Sequence, residues 1–136
     1  MKCHIYLLIS CFLLVFIPGR ALDCRINLYH PHVLNSVMVT CVTGTYSYTD
    51  DLGTVYTLTP GDVVFMASEN SSLWIRDKKN KWTDFSSLML KACGDDAVLR
   101  IKPVSPVLEG REYHGHFEVN IAFNTIQLIN IIDLEQ

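Results

Sequence analysis

The sequence predicts a mainly β protein: a leader followed by a small antiparallel β domain of short strands and hairpins, ending at the start of a helix. Three observations predict it. After the leader, short apolar-alternating segments follow one another between Gly, Pro, Asn and Asp turn signals. No internal repeat or low-complexity linker interrupts them. The 136 residues leave room for one domain with a working core.

The elements run as follows. Residues 25–29 open the domain and break at Pro31; residues 36–42 alternate loosely. Residues 45–49 lead to the turn Asp50-Asp51-Leu52-Gly53, and 54–58 return. Pro60-Gly61-Asp62 bends the chain before 63–67, and Asn70-Ser71-Ser72 turns it into 73–76. Asp77-Lys78-Lys79-Asn80 forms a polar hairpin tip ahead of 81–85. Residues 87–92 and 98–102 are apolar enough for buried strands. Pro103 and Pro106 then force an extended connector, because neither donates a backbone hydrogen bond. The longest pair is 113–123 with 126–132, joined by Asn124-Thr125. Asp133 is positioned to N-cap a helix. A terminal apolar strand just before a new helix signal leads us to expect that more chain follows naturally.

Residues 1–21 read as a secretory signal peptide. Lys2 precedes an apolar run from Ile5 to Ile17, Pro18-Gly19 breaks it, and Gly19 and Ala21 supply small residues around a cleavage site. The run is shorter than a spanning helix needs. Losing Lys2 and Arg20 with the leader takes the formal charge from −3 to −5. An acidic surface attracts neither nucleic acid nor anionic membrane, but a neutral sugar polymer remains a compatible partner. Cys24, Cys41 and Cys93 remain. Export permits disulfides, and Cys24 with Cys41 could pair across neighbouring strands; small buried thiols are the simpler alternative. No Cys-x-x-Cys motif, Gly-rich phosphate loop or nucleophile elbow occurs, and no cofactor is expected.

An ordered series of weak motifs resembles the stage II sporulation protein D family (SpoIID/LytB). They are Arg25-Ile26-Asn27-Leu28, Gly44-Thr45-Tyr46, Leu58-Thr59-Pro60-Gly61-Asp62, residues 75–79, residues 100–103, Tyr113-His114-Gly115, Ile129-Asn130 and Asp133-Leu134-Glu135. The resemblance they carry spans nearly all of residues 22–136; His114 stands where the family usually has Arg. The resemblance implies an exported periplasmic or cell-wall protein acting on peptidoglycan glycan strands. Its members include a lytic transglycosylase and enhancers of an autolytic amidase. The family's catalytic glutamate lies in a Gly-Val-x-x-x-Glu helix past the Leu-Glu step, and this sequence ends at Gln136. No catalytic residue is therefore assigned, and this chain by itself is expected to be inactive. The rivals are a non-catalytic wall-binding domain that recruits an amidase and an unrelated secreted β interaction protein.

Tyr113 and His114 are the candidate glycan contacts. Glu135 matches the family's helix-start glutamate and suits the helix dipole. Glu112 and Glu118 could flank a sugar ring, although such alternating acids usually form a solvated sheet face. His114 and His116, at i and i+2, should share one strand face, but no third metal ligand is evident, since His30 and His32 are distant in sequence. Trp74, Trp82, Tyr46 and Tyr48 could stack on sugars; as aromatics of a β domain they more readily serve as core or cross-strand pairs. Lys78-Lys79-Asn80-Lys81 reads as a solvated tip. Asn70-Ser71-Ser72 is formally a glycosylation sequon, meaningful only in a eukaryotic source.

Overall fold

Alternation along the chain puts every second side chain on one face, and two sheets bury those faces against each other. A computed structural model describes residues 23–134; the leader (1–21) and Glu135 lie outside them. Twelve strands form: β1 (Asp23–Asn27), β2 (Ser36–Thr43), β3 (Tyr46–Thr49), β4 (Val55–Leu58), β5 (Val63–Glu69), β6 (Ser72–Arg76), β7 (Trp82–Phe85), β8 (Ser87–Ala92), β9 (Val98–Ser105), β10 (Arg111–His114), β11 (His116–Ala122) and β12 (Thr125–Asp133). One sheet runs β1-β12-β11-β8-β3-β4 and the other β10-β9-β2-β5-β6-β7, with antiparallel pairing throughout. The inward residues of both sheets form one core that includes Tyr46, Met66, Leu73, Leu90, Leu99, Ile101, Phe117 and Leu128.

Four strand assignments differ from the sequence reading. The run 113–123 is two strands in different sheets. Gly115, at φ +87°, ends β10 and starts β11. The last hairpin turns on Phe123 (φ +52°) and Asn124 (φ +59°), one residue earlier than expected, and Thr125 instead opens β12 opposite Ala122. The Thr125 hydroxyl donates to the Ala122 carbonyl. Pro103 lies inside β9 and is buried. It is tolerated because β10 pairs only as far as Ile101 and because β9 itself is bulged next to it, with Val104 the extra residue opposite Ser36/Val37. Asp133 is the last residue of β12.

Several passages from one sheet to the other meet at one end of the sandwich. The Tyr46 hydroxyl lies 2.9 Å from the Gly115 carbonyl and 3.1 Å from that of Ala97. A β-carbon on Gly44 would stand 2.7 Å from the Ala97 α-carbon, so only hydrogen fits there. The buried Asn130 amide donates to the carbonyls of His114 (2.7 Å) and His116 (3.1 Å), on either side of Gly115. Gly44, Tyr46, Gly115 and Asn130, from three separate sequence motifs, thus form one structural knot.

Candidate functional site

Edge strands β1 and β10 lie on the same side of the sandwich, and the chain beyond each shapes a groove between them. After β1, Tyr29 takes φ +60°, and the His32 amide donates to the Tyr29 carbonyl across a cis His30–Pro31 bond. That turn sends the Tyr29 ring inward. Its hydroxyl reaches the carbonyls of Ile101 (2.8 Å) and Glu109 (2.9 Å), tying the β1 side to β9 and to the approach of β10. Burial, with Tyr113 next in effect, pushes the Tyr29 phenol far above its ordinary pKa. It is therefore a fixed neutral donor, not a proton-transfer group. The Arg111 guanidinium sits 5.5 Å from the centre of the same ring, a cation–π contact.

The resulting groove has a volume of about 560 Å³. Its walls carry Tyr29, His30 and His32 on one side and Leu108, Arg111 and Tyr113 on the other. Tyr113 is half-buried, its ring 6.3 Å from that of Phe117 and edge-on to it. Aromatic walls with a few imidazole and guanidinium groups at the rim suit a ligand with apolar faces and many hydroxyls.

The two candidate glycan contacts separate. Tyr113 lines this groove, whereas His114 faces a smaller hollow of about 140 Å³ together with Gly94, Gly115 and His116. The expectation that His114 and His116 share one strand face is not met. Gly115 puts His114 opposite Val98 in one sheet and His116 opposite Ile131 in the other. The His116 Nδ1 accepts the Ala92 amide at 2.9 Å. Among the described residues no group of three or more His, Cys, Asp or Glu is arranged to hold a metal ion.

Glu112 and Glu118 also part, onto β10 and β11. The Glu118 carboxylate accepts from Asn120 and Arg25, which hold its pKa below the usual range. A glycosidic acid needs the opposite shift. Cys24, Cys41 and Cys93 are free thiols; Cys24 and Cys41 occupy different sheets. Tyr46 and Tyr48 are core residues, and Tyr48 stacks on Tyr56 at 4.9 Å. Trp74 is half-buried on β6. Trp82 is exposed on β7, its ring 6.0 Å from and edge-on to that of Phe65, and Arg76 lies over both, 5.6 and 5.3 Å from their centres.

Sequence reasoning missed Tyr29, Leu108 and Arg111. The only local sign was an aromatic and two histidines gathered around Pro31. No helix among the described residues is long and apolar enough to cross a membrane. No protein-family model, curated protein or solved structure matches the chain.

Proposed function

We propose that this chain is the N-terminal β domain of an exported cell-wall protein of SpoIID/LytB type, and that it holds peptidoglycan glycan strands in the groove between β1 and β10. The parent activity is peptidoglycan remodelling by glycan cleavage of the lytic transglycosylase type; the domain's own part is binding. The observation that carries this reading is the groove, with Tyr113 of the resembling motif on its wall beside Tyr29, Arg111 and two histidines. Its volume falls within the usual range of ligand clefts, and its aromatic walls are rigidly held. A further support is that three of the resembling motifs, far apart in sequence, supply the knot next to it.

The test is co-sedimentation with purified peptidoglycan, alongside chromatography of the soluble fraction for released sugars. Retention on the wall without release, weakened about tenfold or more by Tyr113→Ala together with Arg111→Ala, is the expected result. Absence of retention, or retention unchanged in a folded double variant, would sink the proposal.

A further inference from the structure

The opposite side of the sandwich carries a second cavity, of about 400 Å³, between edge strand β4 and the turn that joins β6 to β7. Its lining includes Val55 and Tyr56 from β4 and Asp77, Lys78, Lys79 and Lys81 from the turn. In an acidic chain this one turn gathers three lysines. As a bare sequence run these cations read as a solvated tip. The structure adds an open cleft beside them and a rigid frame.

The frame has three parts. Asp77 Oδ1 accepts the amides of Lys79 (2.8 Å) and Lys81 (3.0 Å), while the Asp77 amide donates to the Lys81 carbonyl (3.0 Å). The turn is thereby closed on itself, and the one carboxylate in the lining is engaged by backbone donors. Lys78 Nζ is 3.2 Å from Asp62 Oδ2, which anchors the turn to the β4–β5 bend. Tyr56 is held by its stack on Tyr48 and by its hydroxyl, 3.2 Å from Asp50 Oδ2. Neither Lys79 nor Lys81 makes an ion pair among the described residues. Val55, 64% exposed, offers an apolar surface on the opposite wall.

An apolar and aromatic wall facing two uncommitted ammonium groups suits a ring that carries an anion. We propose that this cavity binds an acidic saccharide, its ring against Val55 and Tyr56 and its carboxylate or phosphate between Lys79 and Lys81. A neutral glycan would leave the ammonium groups without a counter-charge, and a free anion would leave the apolar wall empty. The site is separate from the β1–β10 groove and stands or falls independently of the function assigned there.

The test follows backbone amide NMR shifts of the chain in low-salt buffer, titrated separately with trigalacturonate, glucose 1-phosphate, maltotriose and inorganic phosphate. Saturable shifts at residues 54–57 and 77–81 are expected with one or both acidic sugars and not with maltotriose; whichever sugar binds identifies the anion. Lys79→Gln with Lys81→Gln should weaken that binding about tenfold, which corresponds to about 1.4 kcal/mol over the two lost contacts. Tyr113→Ala should leave it unchanged. Equal shifts with maltotriose, equal affinity for inorganic phosphate, no saturable shift with either acidic sugar, or full binding by the folded double variant would each overturn the proposal.

Discussion

Replacing Asn130 by Ala removes a buried amide that bridges the two carbonyls flanking the passage from β10 to β11. Each hydrogen bond contributes about 1 kcal/mol net, and stranding a part-buried carbonyl adds to the loss. The variant should therefore lose about 2–3 kcal/mol, a large share of the 5–15 kcal/mol typical of a domain. At this size that corresponds to a fall in Tm of about 8–13 °C. Asn130→Asp sharpens the test. A carboxylate only accepts, and here it would face two carbonyl oxygens in a buried site, so its folded pKa would rise above the unfolded value of about 3.9. An acid raised in the folded state binds protons more tightly there, so stability falls as pH climbs from the unfolded pKa through the folded one. The Asp variant should accordingly lie closer to wild type at pH 4 than at pH 7. Urea unfolding at both pH values measures this. An Ala variant within about 0.5 kcal/mol of wild type, or an Asp deficit equal at the two pH values, would refute the assignment of Asn130 as the tie across the knot.

Two further outcomes are expected. Gly115→Ala should cost more than Gly53→Ala: both glycines have φ near +87° (+87° and +86°), but a β-carbon on Gly115 would stand 2.6 Å from the Ile131 carbonyl oxygen, whereas Gly53 has nothing within 4 Å. The difference in unfolding free energy isolates the clash, on the order of 1–3 kcal/mol, and equal losses would contradict it. Glu118→Gln should cost its full stability only above the ordinary glutamate value of 4.5. The folded pKa is depressed by Asn120 and Arg25, so the contribution is present above the unfolded pKa and disappears as pH falls through the folded one. The gap between wild type and variant should therefore narrow in urea melts as pH falls below 4.5, and a gap that stays constant with falling pH would count against the Arg25–Glu118 pair.

Most strands were legible because alternation and turn residues agree, as in β3–β4 around Asp50–Gly53 and β5–β6 around Asn70–Ser71. The division at Gly115 was hidden for a physical reason. Tyr113, Phe117 and Val119 keep the same period-two pattern on both sides of it, so changing sheets leaves no trace in the hydrophobic rhythm. The glycine itself was the only sign. The early turn at Phe123 was equally obscure, because an aromatic at φ +52° runs against residue preference and is imposed by the register of Ile121 with Ile126. The groove was half legible. Tyr113 stood out through its motif, but its partners Tyr29 and Arg111 meet only because two edge strands from different sheets end up side by side. No local pattern encodes that adjacency.

The pairing of β1 with β12 has a mechanical consequence. Asp23 and Asp133 are opposite one another at the end of an antiparallel ladder. Tension applied across these two residues does not load the five rungs together, as shearing would. It opens them one after another, from Asp23↔Asp133 toward Asn27↔Ile129. Because Ile26 and Asn27 also line the groove, unzipping the ladder strips one of its walls. Any ligand that bound only the intact groove would hold the ladder shut, and opening the ladder would weaken that hold.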